Sequence, residues 1–142
     1  MKRTSTAVWN GSGKEGSGYI SSQSHVLEKT PYAWNTRFED KPGTNPEELI
    51  AAAHAGCFTM KLSFLLTAAG FVPDSIETTA EVTLDKDTIN HSHLSVKAKV
   101  PGITQEKFDE CANEAKENCP VSKALNMRIT MEAALAEPEI AF

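Results

Sequence analysis

T-N-P-E-E-L-I-A-A-A-H-A-G-C-F-T-M-K-L-S-F-L-L-T-A-A-G, Thr44 to Gly70, is the stretch that decides how the rest of the chain folds. It reads as one long helix with legible ends. Thr44 or Asn45 can cap the first free N–H groups, Pro46 suits the first helical position, and Glu47 and Glu48 complement the positive end of the helix dipole. Gly70 is a natural stop. Between those ends only His54 and Lys61 interrupt a surface that is apolar or small all the way round, and such a helix is normally wrapped by protein on most sides. Cys57 sits at its middle, directly after Gly56. The question it raises is whether that cysteine is packing or chemistry.

Ahead of the helix, residues 3–9 read as a first strand, Tyr19 to Glu28 as a second, and, after a break at Pro31, Tyr32 to Phe38 as a third. The turn Gly11-Ser-Gly13-Lys-Glu-Gly16 matches a dinucleotide fingerprint in form only. That motif must open a helix, and here the following segment alternates like a strand, so a hairpin turn is expected. Behind the helix, Ala80, Val82 and Leu84 alternate with polar residues, and Leu94, Val96, Ala98 and Val100 repeat the pattern beyond a turn near Asp85–Asn90. Period two in both segments predicts an antiparallel pair with one buried face.

Thr104 caps a predicted helix over about residues 105–117, with Phe108, Cys111, Ala112 and Ala115 along its apolar side. Pro120 opens a short third helix with Cys119 at its cap, and Met127–Leu135 reads as a last strand. The tail Glu137–Phe142 is expected to fray. The order β-β-β-α-β-β-α-α-β, with strands in blocks, predicts an α+β fold with antiparallel sheet.

The 142 residues fit one domain, 1–142, of ordinary globular composition, 40% apolar and 23% charged. A net charge of −5 without a basic cluster argues against nucleic acid and anionic membranes as partners. No apolar segment in the first thirty residues resembles a signal peptide, and three cysteines without one suggest reduced thiols in a cytoplasm. Residues 49–72 are long enough to span a bilayer, but the caps, His54, Lys61 and several hydroxyl residues favour a buried helix. Six strands cover only part of such a helix. The small residues Ala51, Ala52, Ala53, Ala55 and Gly56 would let a second copy approach closely, which predicts a twofold homodimer.

Cys57 alone would be read as a small core hydrophobe. Gly56 costs the helix about 1 kcal/mol relative to alanine, which suggests that something nearby needs the space. Cys119 at a helix cap, a place usually held by Ser, Thr, Asp or Asn, suggests a thiol aided by free N–H groups. Cys111, on an apolar stripe, reads as core. His54, three residues before Cys57, is a possible base for a Cys-His pair, while His91 and His93 share one side of a strand without evident partners. No ligand spacing supports a metal site. Arg37, near the end of a predicted strand, reads by default as a solvated charge; a thiolate that attacks a peroxide would need a fixed cation nearby, and an arginine in that role needs a carboxylate to hold its fork.

P-Y-A-W-N-T-R-F-E-D-K-P-G-T-N-P-E-E-L-I-A-A-A-H-A-G-C-F (Pro31–Phe58) and C-P-V-S-K-A-L (Cys119–Leu125) resemble the OsmC/Ohr family, bacterial thiol peroxidases acting on organic hydroperoxides. The similarity runs from about Thr6 to Leu135, and the arginine of N-T-R-F resembles the OsmC branch. Gly56 where alanine is common, Cys111 and the tail after Leu135 depart from the family pattern. The resemblance implies that Cys57 is the peroxidatic cysteine and Cys119 the resolving one, with Arg37 the site arginine and Glu47 its carboxylate partner. It implies antiparallel sheets wrapped around long central helices in an intertwined homodimer. It also implies an external dithiol reductant, for which a lipoylated protein is one candidate, and no bound cofactor or metal. Phe58, Met60 and the aromatic residues around Arg37 are expected to line an apolar entrance.

The rival reading is a redox sensor or stress-associated binding protein using the same cysteine pair without turnover. Helix geometry adds one constraint: Glu47 and Cys57, ten residues apart, lie about 15 Å apart along the axis and about 80° apart around it. If both serve one site, they are expected to come from different subunits.

Overall fold

The two alternating blocks on either side of the long helix build two separate three-stranded sheets. The structure, a computed structural model, describes residues 1–37 and 42–136. The fold is α+β, and its described residues group into two units, Met1–Leu49 and Ile50–Phe142.

In the first unit β1 (Ser5–Asn10) and β2 (Ser17–Ser22) form an antiparallel hairpin that closes with Asn10 opposite Ser17. The glycine motif is therefore a turn between two strands, with Gly11 at φ 97°, and no helix follows it. The third strand differs from expectation. β3 is only Thr30–Tyr32, and Pro31 lies inside it, opposite Tyr19. β3 is the edge of its sheet, where a residue without an N–H is tolerated. Trp34–Arg37, read above as strand, is a single 3-10 turn. Thr36 locks that turn: its hydroxyl donates to the carbonyls of Ala33 (2.7 Å) and Thr44 (2.8 Å). Phe38 and the tail 137–142 lie outside the described residues.

The long helix, α1, runs Pro46–Ala68. Asn45 is its cap, accepting from the Glu48 amide at 2.8 Å, while Thr44 donates its hydroxyl to the Glu48 carboxylate at 2.8 Å. At the other end Gly70 adopts φ 95°, and the Phe71 amide bonds the Leu66 carbonyl at 2.9 Å.

In the second unit β4 (Ser75–Asp85) and β5 (Thr88–Lys99) pair antiparallel around a tight turn, as their period predicts. β6 (Arg128–Leu135) then pairs with β5 in parallel, which corrects the expectation of a wholly antiparallel fold. Parallel neighbours need a long crossover, and the segment carrying α2 (Gln105–Asn118) and α3 (Pro120–Ala124) supplies one. Thr104 caps α2 through the Lys107 amide at 3.1 Å. Phe108, Cys111, Ala112 and Ala115 are all buried, as their spacing predicts.

One core serves this unit. Phe58, Leu62 and Leu66 of α1 pack with Leu94, Val96 and Ala98 of β5 and with the buried side of α2. The opposite side of α1 stays open: Met60 is 64% and Phe64 69% exposed. The helix is thus not wrapped on most sides by its own chain, and by length and composition alone it could cross a membrane. Its inward side nevertheless carries bonded polar groups, with Thr59 donating to Thr78 on β4 at 2.7 Å.

Replacing Leu62 by alanine should lower unfolding stability by about 3 kcal/mol, and replacing exposed Val72 by less than about 0.5 kcal/mol. Urea denaturation measures both, and equal losses would contradict this placement of the core.

Candidate active site

The first unit contributes a cation fixed by a carboxylate. The 3-10 turn ends at Arg37 and α1 begins at Pro46, so Glu47 in the first helical turn meets the guanidinium. Arg37 Nε donates to both Glu47 oxygens, at 3.0 and 3.1 Å, and Nη2 donates to Oε1. This is the planar, two-pronged arrangement in which an arginine loses most of its freedom. Asn45 braces it, its side-chain amide donating to the Thr36 carbonyl at 3.0 Å. Arg37 also lines a cleft of about 180 Å³ with Trp9, Tyr32, Trp34 and Pro46.

The second unit contributes the thiols. Cys57 sits half-buried on α1, near enough to the Cys119 thiol and the Val121 amide for both to act on its titration. Cys119 is fully buried. It caps α3, its sulfur accepting from the Ser122 amide at 3.3 Å. Cys57 opens onto a cleft of about 390 Å³ lined by Met60, Lys61, Phe64, Asn118, Pro120 and Lys123. The structure therefore brings Arg37 to Glu47 in the first unit and Cys57 near Cys119 in the second, with Arg37 lining a cleft of the one and Cys57 a cleft of the other.

His54 does not serve Cys57 as a base. Its ring is fully buried and both nitrogens bond serines, Nδ1 with Ser92 at 2.7 Å and Nε2 with Ser122 at 2.8 Å. The Ser122 hydroxyl in turn lies 3.0 Å from the Cys119 sulfur. Sequence reasoning assigned neither serine a role. Ser122 was visible within the C-P-V-S segment, but only the folded chain shows what its hydroxyl touches.

Three other expectations change. Phe58 is core and lines no entrance, because its position on α1 faces the sheet. His91 and His93 do have a partner: both bond the Thr130 hydroxyl of β6, at 2.7 and 2.6 Å. Beyond its own turns of helix, no described atom lies within 4 Å of where a Gly56 Cβ would stand, so no other part of the described chain claims that space. Among the described residues no cluster has the makings of a metal site.

Burial pushes the Cys57 thiol up, and the neighbouring Cys119 adds to this, against help from the Val121 amide and Lys61. Burial also acts to raise Glu47, but the Arg37 hydrogen bonds and charge outweigh it and hold the carboxyl below its ordinary range. A carboxyl whose folded pKa is depressed adds stability above its unfolded pKa and loses it as pH falls through the folded value. Glu47→Gln should therefore cost about 1 kcal/mol near pH 7, with the gap to wild type closing as the solution is acidified below the carboxylate range. Urea denaturation across that pH range reads this; a gap independent of pH would contradict it.

A family profile described as OsmC-like protein matches residues 38–134. The chain is 50% identical over 133 residues to peroxiredoxin OsmC of Escherichia coli (strain K12), covering 91% of this chain and 93% of that one. It is 31% identical over 121 residues to organic hydroperoxide resistance protein OhrB of Bacillus subtilis (strain 168), covering 83% and 88%. The crystal structure of Bacillus subtilis OhrB superposes with a TM-score of 0.63 at 26% identity, over 94% of this chain and 98% of that one. An OsmC-like protein from Vibrio cholerae superposes with a TM-score of 0.76 at 14% identity, over 94% and 99%, a likeness of fold alone. With half its residues shared with a peroxiredoxin along nearly the whole chain, this protein belongs to the OsmC family and is a thiol peroxidase.

Proposed function

We propose that the chain reduces organic hydroperoxides to alcohols through Cys57 and Cys119, as a defence against peroxide stress. The nearness of these two thiols, with Cys57 opening onto a cleft, carries the reading. The Cys57 thiolate attacks the distal oxygen of the hydroperoxide, the O–O bond breaks, and the products are an alcohol and a Cys57 sulfenic acid. The Cys119 thiol displaces the sulfenic oxygen as water and leaves a disulfide. An external dithiol then reduces that disulfide by exchange, becoming a disulfide itself.

Attack requires a thiolate, and burial works against one at Cys57. The cation that offsets it is Arg37, held by Glu47, donated across a homodimer from the partner subunit. Two features support this. Glu47 and Cys57 are ten residues apart on α1, about 15 Å along its axis, too far for one side chain to bridge. And the open side of α1, with Met60 and Phe64 exposed beside Cys57, is an apolar surface that a second copy would cover. Covering it would shut water out of the cleft and favour an alkyl substituent over hydrogen peroxide. Met60, Phe64 and the aromatic residues around Arg37 are the lining that fits such a substrate. A cytoplasmic location suits three free thiols, and a lipoylated protein would suit as the dithiol.

Loss of cumene hydroperoxide in the presence of a dithiol tests the assignment. Cys57→Ser should abolish turnover, Cys119→Ser should permit one turnover and then overoxidise, and Arg37→Ala should slow the peroxide step by about 100-fold or more. Unchanged consumption in Cys57→Ser would overturn the reading. A disulfide that forms in wild type without turnover would favour the sensor reading in its place.

A further inference from the structure

We propose that Ser122 and His54 form a buried proton relay for Cys119, taking up its thiol proton when it resolves the Cys57 sulfenic acid and returning a proton when it leaves. This rests on the assignment of Cys57 and Cys119 as the oxidised pair. The geometry is a continuous chain of hydrogen bonds inside one unit. Cys119 Sγ lies 3.0 Å from Ser122 Oγ, His54 Nε2 lies 2.8 Å from the same hydroxyl, and His54 Nδ1 lies 2.7 Å from Ser92 Oγ. His54, Ser92 and Cys119 are fully buried and Ser122 nearly so. Bulk water therefore does not reach the Cys119 thiol in this arrangement.

That isolation creates the need for a relay. Cys57 opens onto a cleft, whereas Cys119 does not. A dithiol arriving from solvent can attack only the Cys57 sulfur of the disulfide, so Cys119 is the leaving group. It then departs as a thiolate inside the protein, where an unpaired charge is costly. In the other half of the cycle it must lose its proton in the same dry place to become nucleophilic.

With Nδ1–H donating to Ser92, Nε2 is free to accept. The Cys119 proton passes to Ser122 Oγ as the Ser122 hydroxyl proton passes to Nε2. The thiolate attacks the Cys57 sulfenic sulfur; the S–S bond forms and the S–O bond breaks. The sulfenic oxygen leaves into the cleft as hydroxide and gains its proton from solvent there, while the Cys119 proton stays on the imidazolium. In the reductive half the dithiol's thiolate bonds Cys57, the S–S bond breaks, and Cys119 recovers a proton through Ser122 from His54.

Burial holds the His54 ring below the usual histidine range, so it is neutral and able to accept at neutral pH. The elements packed against it are β5, through Ser92, and α3, through Ser122. Among the described residues neither turns a charged group to the ring: His91 and His93 of β5 bond Thr130 instead. The titratable neighbours are Cys119, through Ser122, and Cys57, one turn along α1, which also feels Lys61.

The test compares the rates of the two steps after a single stoichiometric addition of cumene hydroperoxide. Alcohol release follows the first, and disulfide formation by mass spectrometry follows the second. In Ser122→Ala and in His54→Gln the disulfide step should fall about 10–100-fold relative to the peroxide step. The glutamine can hold the Ser122 hydroxyl but cannot take a proton. Without the relay the disulfide rate should climb with hydroxide, about tenfold per pH unit, while the wild-type rate climbs less steeply. If both variants keep the wild-type ratio and pH slope, or slow both steps alike, the relay is wrong. If only Ser122→Ala slows the disulfide step, the serine holds Cys119 and His54 is not the acceptor. If wild type itself forms no Cys57–Cys119 disulfide, the underlying assignment fails and the relay with it. Ser122→Ala keeps the cap, because the Ser122 amide makes that bond, so a folded variant is expected.

Discussion

A single buried imidazole ties the thiol site together. From α1, His54 reaches β5 through Ser92 and α3 through Ser122. Each neutral hydrogen bond adds only about 1 kcal/mol net, but breaking either would strand a buried polar group at a further cost of about 1–3 kcal/mol. That asymmetry makes the arrangement close to all-or-none. It fixes α1 against the sheet one turn before Cys57, and it fixes α3 at the residue whose amide and hydroxyl both meet Cys119. The two cysteines, sixty-two residues apart in the chain, meet because of this cross-brace.

The same economy governs the Arg37–Glu47 pair. Glu47 is in the first turn of α1, where a carboxylate already complements the helix dipole, and Arg37 ends the 3-10 turn that Thr36 locks. A helix start therefore presents a rigid cation without any further element. At its centre α1 carries Cys57, the proposed nucleophile, and on its open side it carries Met60 and Phe64. The helix serves as core and as rod for the candidate site, and in the proposed function its open side is the surface that a second copy would cover.

Much of this was legible in the sequence for physical reasons. α1 and α2 announce themselves through caps and spacing, and β4 and β5 through period two; these are local signals, and Thr104 and the buried side of α2 fell where they were expected. The pairing of Arg37 with Glu47 was implied by the family resemblance and not by any local pattern, and the folded chain makes that pair. The misses are non-local. Period two cannot tell a parallel neighbour from an antiparallel one, so β6 was misread, and the edge that lets Pro31 sit inside β3 is a property of the sheet. Contacts such as His54 with Ser92 and Ser122, spanning 38 and 68 residues, leave no periodic trace, so His54 was weighed as a base for Cys57 and Ser122 went without a role.

The proposed chemistry depends on which sulfurs join. Peptide mapping of the reduced protein after a stoichiometric dose of cumene hydroperoxide measures this directly. The account predicts a Cys57–Cys119 crosslink within one chain, with Cys111, buried against α2's neighbours in the core, left as a free thiol. A crosslink through Cys111, a Cys57–Cys57 bond between chains, or no disulfide at all would contradict it.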